Sequence, residues 1–360
     1  MSAAPRMVLV LVAGSGCLFD DPGPGAVSAD TDVGSDTGSD TGSDTGSDTG
    51  SDTGPETPTT GGPPEQCGWE PRSPGGAPPA RIDATLTLDE ERGSLLLFGG
   101  RTGLIGADLG DTWSFDGTQW IEDEGAGGPG PRRGHAAAWD GKRRKIVLVG
   151  GEFGEIDIKF AEKTWVYEDD GWKEASSGGP SDRAHAAMAD LPAIERVVLF
   201  GGRTDDGPSD ETWDWDGKEW RRVETAVAPA PRFEHTMALD EASGQVLMHG
   251  GCGTSLCGEL LTDTWAWNGK DWKQLDGGEG PGPRAGGMVY DRSEPALLRL
   301  GEGEGWRWDG ETWSTAGAAP DALARFAVAY HPDTAGVVLF GGLDGKLGAT
   351  DDTWVFRCAR

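Results

Sequence analysis

From about residue 85 onward, short apolar runs recur, each closing on glycine, and no segment carries the three-to-four-residue spacing of an amphipathic helix. The stretch from Pro231, PRFEHTMALDEASGQVLMHGGCGTSLCGELLTDTWAWNGKDWKQL, shows the unit. It reads as four strands: a small-residue strand a such as HAAMADL, an apolar strand b such as RVVLFGG, a strand c such as TWDWDG, and a strand d opening on a second tryptophan. Asp-Gly pairs between c and d, as in FDGTQW and WDGKEW, predict I′ hairpin turns. The period is about fifty residues. Glycine pairs stand at Gly99-Gly100, Gly150-Gly151, Gly201-Gly202, Gly250-Gly251 and Gly341-Gly342. The strand c tryptophans are Trp113, Trp165, Trp213, Trp265, Trp306 and Trp354; the strand d tryptophans are Trp120, Trp172, Trp220, Trp272 and Trp313, with no sixth downstream.

Strand-only repeats of this length point to radial repetition of four-stranded sheets. The glycine pair, the aromatic-x-aromatic of strand c and the trailing tryptophan resemble kelch repeats over residues 67–360. The resemblance implies an all-β, six-bladed kelch-type β-propeller with four antiparallel strands per blade, of the galactose oxidase type. A ring of blades is stable only when first and last are joined, because an open ring leaves bare edges. Counting along the motif supplies the join. Phe356-Arg357-Cys358 stops where Phe115-Asp116-Gly117 continues, while Cys67-Gly68-Trp69 takes up at the place of Thr118. CGWEPR is then the missing strand d of the last blade, and a Cys67–Cys358 disulfide is expected to clasp the ring. In the fifth unit, LRLGEGEGWRWDGETW has almost no loop between b and c and should leave a notch in the rim.

The N-terminal part reads differently. MSAAPRMVLVLVAGSGC has an apolar run too short to span a bilayer, ending in small residues. Residues 1–17 resemble a bacterial lipoprotein signal peptide, which implies lipidation at Cys17; ordinary signal cleavage leaving Cys17 free is the alternative. With Leu18 following the cysteine, the resemblance implies the outer membrane or cell surface of a Gram-negative bacterium, with secreted or periplasmic protein as the other option. Residues 18–66 contain five tandem SDTG units and nothing to bury, and they are expected to be a disordered linker. Roughly fifty such residues span about 40 Å by random-coil scaling.

Charge and composition narrow the functions. A net charge of -30, from 61 acidic against 31 basic residues, argues against nucleic acid as a partner. The two remaining cysteines, Cys252 and Cys257, fall in one b–c loop and are expected to form a local disulfide; a metal site is the alternative, although C-x4-C stands without a second ligand pair.

His135, His185 and His235, fifty residues apart at the start of strand a, would converge on the channel as metal ligands or else do one repeated structural task. Arg132, Arg183, Arg232, Arg284 and Arg325 lie near the starts of strand a and form a candidate binding face for a carboxylate or sulfate, the alternative being pairing with the abundant Asp and Glu. A galactose oxidase copper site needs a cysteine paired with a tyrosine, and none is left over for Tyr167, Tyr290 or Tyr330. No catalytic residues or cofactor are expected. The chain is read as a monomeric, non-enzymatic binding module for protein or polysaccharide, touching membrane through a lipid anchor only; a carbohydrate-active enzyme and a structural envelope protein are the other options.

Overall fold

Six four-stranded antiparallel sheets follow one another along the chain, one per repeat. The computed structural model describes residues 67–360 apart from 126, 170, 177, 181, 284, 285, 302, 321–323, 359 and 360. The signal segment, Cys17 and the linker lie outside the described residues. In blade 1 the strands are a (Thr85–Asp89), b (Ser94–Phe98), c (Thr112–Phe115) and d (Trp120–Glu122), hydrogen-bonded in that order. The other strands a are Ala136–Asp140, Ala187–Leu191, Thr236–Asp240, Gly287–Asp291 and Ala327–His331, each in contact with the strand a of the next blade around the ring. The protein is a six-bladed β-propeller.

Blade 6 takes its strand d from the other end of the domain. Cys67–Arg72 pairs antiparallel with Thr353–Cys358, and Trp69 opposes Phe356 as Trp120 opposes Phe115. The same register sets Cys67 opposite Cys358. Blade 5 has the expected bare rim: Gly301 pairs with Glu304, so residues 302 and 303 alone join b to c. The c–d turns differ from expectation. Positive φ falls on the glycine alone, 92° at Gly117, which is the II′ arrangement; Asp116 fixes the turn by accepting from the backbone N–H of Thr118 and Gln119.

The apolar runs are continuous because each sheet is covered on both faces by neighbouring blades. Leu95 to Phe98 are all buried, as are Val197 to Phe200. Strand d, at the outer edge, buries its tryptophan and exposes the next two residues: Trp220 is buried, Arg221 and Arg222 are not. That tryptophan also ties blades together. The indole N–H of Trp172, Trp220, Trp272 and Trp313 donates to Thr112, Thr164, Thr212 and Thr264 of the preceding blade at 2.8–3.0 Å, and Trp120 closes the series on Thr353 at 3.2 Å. Each such buried bond nets about 1 kcal/mol. Threonine stands before the strand c tryptophan in five blades for this reason, and blade 5 has Gly305 there.

The glycine pair serves the same junction. In blade 1 the N–H of Gly100 donates to the carbonyl of Arg132, at the start of blade 2. A Cβ on Gly99 would lie 2.8 Å from that carbonyl oxygen, and one on Gly100 would lie 2.6 Å from the carbonyl of Ile82. Both glycines have positive φ, so neither position admits a side chain.

Candidate functional site

The predicted arginine face is corrected by burial. Arg132, Arg183 and Arg232 are 6%, 2% and 0% exposed, joined in the same register by Arg81 at 1%. Each guanidinium turns inward and donates to the carbonyl of the first glycine of its own blade: Arg81 to Gly99, Arg132 to Gly150, Arg183 to Gly201 and Arg232 to Gly250. Three also meet the carboxylate two residues before the strand c tryptophan. Arg81 pairs with Asp111, Arg183 with Glu211 and Arg232 with Asp263, and these carboxylates accept the indole N–H of Trp113, Trp213 and Trp265. Arg325 falls two residues later in the register, where its guanidinium grips Asp83 through both carboxylate oxygens. Arg284 lies outside the described residues. In blade 5, where Pro283 takes the arginine's place in the backbone bonding, Arg299 of strand b is 2% exposed and lies against Gly286 and Gly301.

The histidines do not share one site. His135 and His235 occupy equivalent places, edge-on to Phe98 and Phe200 of the preceding blade. His135 also meets the Thr85 hydroxyl at 2.8 Å. Burial, reinforced by the charges of Arg132 and Arg232, pushes both imidazoles down to about 3. His185 stands one residue earlier, equivalent to Gly134 and Glu234, with φ of 58°. Burial lowers its pKa, but the Glu152 carboxylate 3.9 Å away outweighs it, and the net shift is upward. Among the described residues, the group of three potential ligands within 4.8 Å of one another is Glu234, Cys252 and Cys257, and those two sulfurs are bonded to each other. Among the described residues, the three histidines form no such group. Cys67 is disulfide-bonded; the side chain of Cys358 lies outside the described residues.

The residues at the place of His185 form a ring around the channel. Asp83, Gly134, His185, Glu234 and Arg325 all have φ between 56° and 60°. Their backbones are linked in series: Asp83 N–H donates to Arg325, Gly134 to Asp83, His185 to Gly134 and Glu234 to His185. Inside this collar, Glu152 pairs with Arg133 and Arg203, and Arg133 pairs with Asp108. Glu152 is 1% exposed and Arg133 3%. Burial acts to raise the Glu152 carboxyl, but His185, Arg203 and Arg133 together hold it down at about 2. These groups form a buried polar plug at the end of the channel carrying the b–c loops.

Beyond the plug the channel widens into a well of about 730 Å³, walled by the strands a of all six blades. Leu86, Met188, Met237 and Met288 line its apolar part, and Trp139, Asp190, Tyr290 and Tyr330 lie nearer the a–b turns. Arg292 spans that mouth, donating to Glu241 of blade 4 and to Glu90 of blade 1 at 2.7 Å each.

The opposite face has another character. Among the described residues, eight large apolar side chains are exposed, and seven of them belong to b–c or d–a loops, which share one face. Ile105, Ile156 and Leu256 are 98%, 87% and 85% exposed at the tips of the loops of blades 1, 2 and 4. The Cys252–Cys257 bond closes the loop bearing Leu256.

No protein-family model matches the chain. Parts of it are similar to curated proteins. The tRNA wybutosine-synthesizing protein 4 of Emericella nidulans is 30% identical over 144 residues, 36% of this chain and 13% of that protein. The flagellar outer arm dynein alpha chain of Chlamydomonas reinhardtii is 32% identical over 189 residues, 47% of this chain and 4% of its own length. Adagio protein 3 of Arabidopsis thaliana is 30% identical over 123 residues, 32% of this chain and 19% of that protein. The chain thus spans less than a fifth of each of these relatives.

Proposed function

We propose that this protein is a kelch-type propeller that binds a protein partner on its b–c loop face, exported and held at the cell surface by a lipid on Cys17. The observation that carries the reading is the placement of seven of eight exposed large apolar side chains on that one face. Scattered apolar residues are ordinary on a protein surface; a set confined to the loop tips of one face marks an interaction surface. The partner's chemistry is set by the charge around those tips. Glu155, Asp157, Asp205, Asp206, Asp351 and Asp352 are exposed there, against Lys159, Lys163 and Lys346. A segment presenting apolar side chains among Lys and Arg complements this face in both respects. The kelch assignment rests on the glycine pairs and the two tryptophans per blade, which between them form the blade-to-blade junctions.

Selection of displayed random peptides against the purified domain tests this. The expected binders are basic and apolar, and their binding is lost in the combined Ile105→Ser, Ile156→Ser, Leu256→Ser variant. Binders indifferent to that variant, or glycan binding that survives it in place of peptide binding, would overturn the assignment.

A further inference from the structure

The well on the a–b side is independent of the loop face and has a chemistry of its own. Its walls are apolar and its mouth is aromatic and acidic, and the acids are not equally provided for. Glu90 and Glu241 share the guanidinium of Arg292. Asp190, in the strand a of blade 3, accepts the backbone N–H of Gly141 at 3.2 Å and has no cation partner among the described residues. Burial, together with the nearby charges of Asp140 and Glu90, pushes its carboxyl up to about 7. Trp139 stands beside it. The indole Nε1 is buried without a hydrogen-bond partner, and a Cβ on Gly141 would lie 3.7 Å from it and 2.6 Å from Asp190 Oδ2. One place in the mouth is therefore flanked by a carboxylate without a cation partner among the described residues and by an indole, with the rings of Tyr290 and Tyr330 also in the lining.

We propose that this well binds an organic ammonium ion whose cationic head sits between Asp190 and the rings of Trp139, Tyr290 and Tyr330, and whose apolar body fills the methionine- and leucine-lined interior. A positive head is favoured over an anion because three carboxylates at the mouth face a single arginine. A desolvated cation against aromatic faces is attracted by their quadrupoles, and a carboxylate beside it supplies the counter-charge. The volume suits a small molecule with room for an apolar body.

Titration calorimetry on the full chain with benzyltrimethylammonium, its neutral isostere neopentylbenzene and the anion benzenesulfonate distinguishes charge from shape. The ammonium is expected to bind, the sulfonate not to bind, and Asp190→Asn to weaken the ammonium by about tenfold or more, as for loss of a charged partner. Asparagine keeps the acceptor for Gly141 N–H, and an unchanged urea midpoint confirms the fold. Tyr290→Leu, at a half-buried site, is expected to weaken binding severalfold by removing a ring. Binding of the neutral isostere as tightly as the ammonium, indifference to Asp190→Asn, or absence of ammonium binding at millimolar concentration would each overturn the assignment.

Discussion

Blade 2 lacks a part that its neighbours have, and restoring it should stabilise the ring. In blades 1, 3 and 4 the residue two before the strand c tryptophan is Asp111, Glu211 or Asp263, and it accepts from both a buried arginine and an indole N–H. Blade 2 has Lys163 there. Arg132 is accordingly left to the carbonyls of Gly150, Gly130 and Pro129, and burial pushes its guanidinium down to about 10. Trp165 Nε1 is buried without a partner.

Lys163→Asp would return a charge-assisted bond to Arg132, worth about 1.5–3 kcal/mol. It would also satisfy the indole. The loss is the pair between Lys163 and Glu174, with both side chains around half exposed, worth about 0–1 kcal/mol. The net expectation is a gain of about 2 kcal/mol, or roughly 3–6 °C in Tm for a domain of this size. Equilibrium urea unfolding followed by tryptophan fluorescence measures it, with Lys163→Ala separating the lost surface pair from the new bonds. A Lys163→Asp variant no more stable than Lys163→Ala would refute the reasoning that the Arg-carboxylate-Trp set is a stabilising unit of the blade.

Three further outcomes are expected. Cys67→Ser should lower stability by about 5–6 kcal/mol in the chain-entropy picture of a clasp closing nearly the whole domain, and alkylation without reduction should leave Cys358 unmodified in the parent. Thr164→Val should cost about 1–3 kcal/mol, because it strands the buried indole N–H of Trp220, whereas Thr118→Val in an exposed turn should cost under about 1 kcal/mol in the same urea assay. Acid should weaken the fold well above the carboxylate range. His135 and His235 titrate near 3 and His249 near 4 when folded, below the unfolded value of about 6.5, so the unfolded state binds the extra protons. Each then removes up to about 1.4 kcal/mol per pH unit as pH falls from about 6.5 towards its folded value, and a urea midpoint unchanged between pH 7 and 5 would contradict this.

Much of the ring was legible because its signals are tied to backbone geometry. The glycine pairs mark positions where a side chain would collide with a neighbouring carbonyl, and the tryptophan at each strand d has one indole to place. Ring closure came from counting, since CGWEPR and DDTWVFRC each carry half of one blade. The central residues were harder. His135 and His185 are both followed by two alanines, yet they occupy different places: strand a opens at Ala136, one residue after His135, but at Ala187, two residues after His185. The collar position that His185 fills accepts Asp, Gly, His, Glu or Arg, since its task is performed by backbone N–H and C=O. No residue type signals it. The inward turn of the arginines was equally hidden: their main acceptors are glycine carbonyls, which leave no mark in sequence beyond the glycines themselves. Arg325 belonged to the collar and not to that series.

The departures from the repeat are where specific chemistry is to be sought. Residues that recur around the ring, such as the strand d tryptophan and the threonine that five of the six meet, are accounted for by blade-to-blade bonding and leave nothing over for a ligand. The residues that differ between blades collect at the two ends of the channel axis. At the loop face, apolar tips occur on blades 1, 2, 4 and 6, while blade 3 carries Asp205 and Asp206 and blade 5 has almost no loop, so a partner meets a lopsided surface with a gap at blade 5. At the opposite mouth, the level occupied by Leu88 and Leu239 holds Trp139, Asp190, Tyr290 and Tyr330 in the other four blades. Six equivalent positions filled by leucine would stabilise the ring by burial alone. An acid and three aromatic rings in that row give up part of that burial; Asp190 accepts a backbone N–H but has no cation partner among the described residues, and the buried Trp139 indole N–H has no hydrogen-bond partner. A cation that pairs with Asp190 would add stability to the folded state by mass action, so benzyltrimethylammonium should raise the Tm of the parent in proportion to its occupancy and raise that of Asp190→Asn far less.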